Sequence, residues 1–174
     1  MALKPNDLLK PLEAPNRVGW FVNLAVFVGG ATLVNALIFG LGWNDAPHFT
    51  TQRSFDPPDA VTAVVWVILL GMLATARWWL NAGQTPEVSR AKHWVTGLCV
   101  VCLLWPFYAL ATDSVLGGLI GCVLTALLGI LTVWRIVRLG DWTPWLAAPA
   151  TLLVVPMILW VLFATVVVAK HLGH

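Results

Sequence analysis

Charge is what this sequence has least of. Only 10% of its 174 residues are Asp, Glu, Lys or Arg, against about a quarter in a soluble domain, so a water-facing surface cannot be built from it. That excludes an ordinary cytosolic enzyme. The net charge is only +2 and the ten Lys and Arg form no dense basic stripe, which excludes a nucleic-acid partner. Tyrosine is nearly absent, with one residue against eleven Trp. No paired carboxylates lie inside an apolar run, which argues against a proton-driven pump. No Ser, His and acid cluster can be assembled, no period of about 20 to 50 residues repeats, and there is no low-complexity tract.

Histidine and cysteine are scarce as well. His48, His93, His171 and His174 all fall near the ends of apolar runs, so no haem ligand is expected at membrane depth. His171 and His174 are spaced to share a helical face, but at a chain end prone to fray, and no metal site is assigned there. Cys99 and Cys102 form a C-x-x-C inside an apolar run, where a thiolate would be poorly solvated, so packing is the expected role. Cys122 reads as a small apolar filler.

What is abundant is apolar sequence, 59% of the chain. A helix needs about 20 apolar residues to cross the hydrocarbon core. Five runs qualify, at about 18–42, 60–80, 95–111, 115–137 and 145–169, and they predict an all-α integral membrane protein, one five-helix domain over 1–174 behind an N-terminal tail, 1–17. The first run is too long for a signal-peptide core and no small-x-small cleavage site follows it, so it is expected to be retained. Only Thr112 to Ser114 separate the third and fourth runs, which makes those helices antiparallel neighbours, with Asp113 or Ser114 as the cap.

Orientation follows from Lys and Arg. Lys4, Lys10, Arg17, Arg77, Arg90, Lys92, Arg135 and Arg138 fall on one side, Arg53 and Lys170 on the other; this predicts a cytoplasmic N-terminus and a C-terminus on the opposite side. The loop from Trp43 to Asp59 then lies outside, and either connects helices or caps a cavity.

Two readings compete for the Trp residues. Trp20, Trp43, Trp78, Trp79, Trp142 and Trp145 fall near span ends, as an interfacial belt requires. Trp66, Trp105, Trp134 and Trp160 fall deeper, on four different helices, where they either fill core and lipid-facing positions or line a flat-sided pocket. On the fourth run Gly117, Gly121, Thr125 and Gly129 form a small-residue stripe that suits internal helix packing or a homodimer face equally.

Four blocks in order resemble one family. SFDPPDAVTAVVWVILLGMLATARWWL from Ser54, CLLWPFYAL from Cys102, VWRIVRLGDW from Val133 and VPMILWVLFAT from Val155 are similar to the signature segments of the TspO/MBR family, the tryptophan-rich sensory proteins and translocator proteins also called peripheral benzodiazepine receptors. The resemblance covers about Leu41 to the C-terminus. It implies a five-helix bundle, frequently a homodimer, with a lidded cavity that binds porphyrins and other tetrapyrroles, in some members sterols or benzodiazepine-type ligands. Carried over by position, Pro57 and Pro58 shape the entry to the second helix, and Trp66, Cys102, Trp105, Trp160 and Ala164 line or border the cavity. Phe55 and Trp43 contribute from the lid, and Trp134 stands near the matching region of the fourth helix.

The chain also departs from the family. Leu70 stands where Tyr is usual, Cys102 where Asn is usual, and Val166, Val167 and Val168 where Tyr-Leu-Asn is usual. Fewer hydrogen-bonding groups make a polar-edged ligand harder to hold and an apolar one, such as a carotenoid or quinone-like lipid, easier. A tail of about 16 residues and about eight additional residues between Trp142 and Val155 are extra, and the tail would suit docking to a partner.

The expectation is therefore a non-enzymatic sensor, carrier or transporter of the bacterial inner membrane. It requires no cofactor, takes a porphyrin, other tetrapyrrole or apolar lipid as ligand, and has membrane lipids and a second copy as partners. The alternative is an accessory subunit of a larger, possibly pigment-containing, membrane complex. Breakdown of a bound porphyrin is the remaining reading, and the missing Tyr and Asn weigh against it.

Overall fold

The computed structural model describes residues 10–47, 56–141 and 143–173. Among these, five long helices follow a short helical segment at 10–13: α1 (Arg17–Gly40), α2 (Asp59–Leu80), α3 (Pro86–Tyr108), α4 (Val115–Val137) and α5 (Pro144–Lys170). No strand occurs among the described residues. Short 3₁₀ turns at Trp43–Asp45, Arg138–Asp141 and His171–Gly173 follow α1, α4 and α5. The loop positions 48–55, with His48, Arg53 and Phe55, lie outside the described residues, as do Trp142 and His174.

The helices begin where the sequence supplies an oxygen for the free N–H groups of the first turn. Asn16 Oδ1 accepts from Gly19 N at 2.9 Å and Ser114 Oγ from Gly117 N at 3.0 Å, while Thr85 Oγ1 accepts from Val88 N with Pro86 at the first helical position. Of the two expected caps at the α3–α4 turn, Ser114 is the one used. Asp113 instead takes a left-handed φ of 48° that reverses the chain.

Thr85 and Pro86 also correct a boundary. Hydropathy placed the third helix at 95–111; it starts nine residues earlier, because capping chemistry rather than apolarity decides where a helix begins. The connection after α2 shrinks accordingly to 81–85.

By length and composition, four helices among the described residues are apolar enough to cross a membrane: Arg17–Gly40, Asp59–Leu80, Pro144–Lys170 and the α4 segment Val115–Asp141. That does not carry the count of five spans. α3 is 23 residues long, but Glu87, Arg90, Lys92 and His93 occupy its first turns.

α5 lies between α4 and α2, α3 packs against both α4 and α2, and α1 rests on α2 and α3. Leu70, Leu73, Leu80, Leu98, Val154 and Met157 meet in the centre. The outward faces are apolar too: Phe21 and Leu33 of α1, Leu124 and Leu127 of α4, and Leu152 and Leu159 of α5 are all exposed. Water would penalise such a surface at every one of these positions, whereas lipid chains solvate it.

One end of the bundle is tied by polar contacts. Trp20 Nε1 donates to Thr75 Oγ1 at 3.2 Å, Trp78 Nε1 to Asn16 O at 2.9 Å, and Trp79 Nε1 to Trp145 O at 3.3 Å. Arg77, in the last turn of α2, is only 4% exposed. Its guanidinium donates to Thr96 Oγ1, Leu12 O and Asn23 Oδ1 and pairs with Glu13. Asn23 and Asn81 also donate to Leu12 O, at 2.9 Å each, and Lys92 pairs with Glu13. The segment before α1 is thus strapped onto the bundle. A tail free for docking is not what residues 10–16 form.

Candidate functional site

A cavity lies among the five helices, each of which contributes to its lining. The cavity measures about 220 Å³. Ala31 and Ile38 come from α1, Trp66 and Leu70 from α2, Cys102 and Trp105 from α3, Cys122 and Thr125 from α4, and Trp160 and Ala164 from α5. Three indoles on three helices therefore share one wall system, flat apolar area of the kind a planar ligand uses.

The hydrogen-bonding capacity of these walls is largely spent. Trp105 Nε1 donates to Gly118 O at 3.0 Å, Thr125 Oγ1 donates back to Gly121 O at 2.7 Å, and Cys102 Sγ meets Met157 Sδ at 3.8 Å. Trp160 Nε1 is the exception, a buried donor with no acceptor among the described residues. Leu70, Cys102, Val167 and Val168 all face this cavity.

Polar side chains line one part of the cavity. Asp56, Asp59 and Asn35 stand there with His171, whose Nε2 lies 3.3 Å from Asp56 Oδ2. Asn35 Nδ2 donates to Ala63 O at 3.2 Å and ties α1 to α2 there. Both partners of the His–Asp pair are inaccessible, at 5% and 12% side-chain exposure. The contact joins the end of α5 to the segment that enters α2. Sequence reasoning missed His171, because a His three residues before the last one reads as frayed; nothing local announces that α5 continues into a 3₁₀ turn against Asp56.

The remaining expected site residues separate into groups. Pro57 lines the cavity, whereas Pro58 is the N-cap of α2 and is not part of the lining. Trp43 is packed edge-on against Phe107, ring centroids 5.4 Å apart, and does not reach the cavity. Trp134 does not either: it is 41% exposed at the far end of α4, beneath the guanidinium groups of Arg135 and Arg138. Phe55 lies outside the described residues. The small-residue stripe faces inward: a Cβ on Gly121 would meet the Tyr108 ring at 2.5 Å, one on Gly129 would meet Ile158 at 2.8 Å, and one on Gly117 would meet Tyr108 O at 3.0 Å. The absent side chains let α4 approach α3 and α5.

No group of three or more His, Cys, Asp or Glu is arranged to hold a metal among the described residues. Outside the spans, Glu13 is the group with a shifted acidity among the described residues. Partial burial acts to raise its pKa, but hydrogen bonds from Lys92 and Arg77 and their positive charges outweigh it and hold the carboxyl below the ordinary value.

These features define a helical integral membrane protein with a Trp-lined cavity among its helices. A model of the TspO/MBR family matches residues 23–172, nearly the whole chain, and the protein belongs to that family. No match to the chain was found among curated proteins or among solved structures.

Proposed function

We propose that the protein holds a tetrapyrrole or a similarly flat, apolar molecule among Trp66, Trp105 and Trp160 and acts as a sensor, carrier or transporter. The observation that carries this reading is the convergence of those three indoles on one cavity in a chain of this family. At about 220 Å³ the space is below the roughly 300–1,000 Å³ of drug-sized sites. An acyl chain, a polyene segment or a quinone ring fits the walls as they stand, and a porphyrin enters only as they part. The small volume and the nearly saturated walls also favour the second reading, an accessory subunit whose cavity holds lipid within a larger membrane complex.

In this reading α3 is the fifth span. Its charges are confined to its first two turns, and the residues from Trp94 to Tyr108 extend about 22 Å at 1.5 Å per residue, which spans the core once the charged side chains snorkel and the bilayer thins locally. The contacts of Asn16, Glu13, Arg77, Lys92 and Trp145 gather the start of α1, the end of α2 and the starts of α3 and α5 at one end. Most of the Lys and Arg are there, which supports a cytoplasmic N-terminus in a bacterial inner membrane.

The test is a titration of the protein in nanodiscs with protoporphyrin, following Trp emission and pigment absorption. Saturable quenching that Trp66→Ala and Trp105→Ala each weaken, with the protein still folded, is the expected result. Linear quenching indifferent to both substitutions would refute the placement, and co-purification with other chains in mild detergent would then support the subunit reading.

A further inference from the structure

The end of α4 carries a cation site that the cavity does not use. Arg138 Cζ lies 4.1 Å and Arg135 Cζ 5.0 Å from the centroid of the Trp134 ring, and Arg135 also stands 5.9 Å from Trp94 of the neighbouring α3. A guanidinium lying over an indole is held by the ring's negative face and partly stripped of water, and the contact uses none of its N–H donors.

These two arginines differ from most other cations at this end of the bundle, and from Arg17, which is likewise exposed and without an ion pair among the described residues, in lying over indole rings. Arg77 and Lys92 are taken up by Glu13, and Arg90 lies 3.7 Å from Glu87. Arg135 and Arg138 are exposed, and neither makes an ion pair or a hydrogen bond among the described residues. Asp141, the nearest acid in sequence, is not paired with them.

Directly along the same helix face runs an apolar track. Leu124, Leu127, Leu131 and Trp134 are all exposed and recur at three- and four-residue steps that end on Arg138. From Leu127 to Arg138 the helix rises about 16 Å, close to half of the roughly 30 Å hydrocarbon core. The face therefore has the length of one phospholipid in one leaflet, with an exposed apolar strip for a chain and two exposed guanidinium groups at headgroup height.

We propose that Arg135 and Arg138, set on Trp134 and Trp94, form a binding site for the phosphate of an anionic membrane lipid whose acyl chain lies along Leu124, Leu127 and Leu131. Basic groups between helices at the headgroup level recognise anionic lipids by charge and by forked donation to phosphate oxygens. The site is independent of what the central cavity binds.

The experiment uses detergent-solubilised protein and a dansyl-labelled phosphatidylglycerol that receives energy from the Trp residues. Unlabelled phosphatidylglycerol, phosphatidylcholine and inorganic phosphate compete for it. Each basic residue near an anionic surface is worth about fivefold in affinity, so phosphatidylglycerol should displace the probe at roughly twenty- to thirtyfold lower concentration than phosphatidylcholine. The Arg135→Gln/Arg138→Gln double variant should bring that ratio near unity, while Arg90→Gln, which alters an exposed cation already beside Glu87, should leave it unchanged. Equal competition by the two lipids in the unaltered protein, or an undiminished ratio in the double variant, overturns the proposal. Inorganic phosphate competing as well as phosphatidylglycerol overturns it in favour of a free-anion site. Should the double variant not fold, rising NaCl on the unaltered protein decides: the ratio must fall with salt, and a salt-independent ratio overturns the site.

Discussion

Arg77→Met keeps most of the side chain's length and removes its charge and all its donors. Asn23, which has no exposed surface, loses the 2.8 Å donor to its Oδ1, and a buried acceptor left without a partner costs about 1–3 kcal/mol. Leu12 O keeps its donors from Asn23 and Asn81, so that carbonyl adds little. Breaking a fully buried ion pair costs about 3–5 kcal/mol, but Glu13 is 43% exposed and retains Lys92, which brings this part toward the ~1 kcal/mol of a surface pair. Removing the guanidinium also relieves the cost of having buried it. The sum is about 3 kcal/mol, equivalent to a fall in Tm of about 6–12 °C for a chain of this size. Thermal unfolding in mild detergent reads it, and trypsin cleavage after Lys10 or Arg17 should quicken as the strap loosens. A Tm within about 1 °C of the parent together with unchanged cleavage would show that the polar cluster does not hold the tail.

Acidification should act on the same strap through Glu13. Its folded pKa is depressed, so its contribution is fully present above the ordinary carboxylate value of 4.5 and is lost as pH falls through the lower folded value; tail proteolysis should rise below that window in the parent and not in Glu13→Gln, and an identical pH profile in both would exclude Glu13. Gly129→Ala places a Cβ 2.8 Å from Ile158, a stiff side chain with little freedom to yield, so it should destabilise by about 1–3 kcal/mol without changing the oligomeric mass measured by light scattering. A change of mass with unchanged stability would move the stripe to an intersubunit face. The two cavity indoles should respond differently to loss of their N–H. Trp105→Phe removes the indole donor to the carbonyl of Gly118 and should cost about 1 kcal/mol more in thermal unfolding than Trp160→Phe, whose N–H has no acceptor among the described residues; equal costs would mean that the Gly118 bond contributes nothing.

How much of this was legible beforehand depended on whether the signal was local. Apolar runs and caps are local, so α2 and α4 lie within a residue of their expected bounds and α1 and α5 within two. Trp66, Cys102, Trp105, Trp160 and Ala164 could be set at cavity positions through resemblance to relatives, because motif order on successive helices fixes the level at which each side chain sits. The start of α3 was missed since its first turns are charged, and hydropathy sees charge as loop while Thr85 and Pro86 start a helix regardless.

The sequence by itself determined the class of solvent: a chain with so few charges and such long apolar runs folds only where lipid satisfies its outer face and helices satisfy their own backbone. Only the tertiary structure decided which polar residues find each other. Arg77 reads as a surface cation in a loop until Asn23, Thr96 and Glu13 arrive from three other segments, and Trp134 reads as a cavity residue until the helix rotation turns it out toward two arginines. His171 and Asp56 are 115 positions apart and meet only because α5 packs along α2. Periodicity is written along one helix, whereas the rotation and depth of that helix against its neighbours come from side-chain packing among all five.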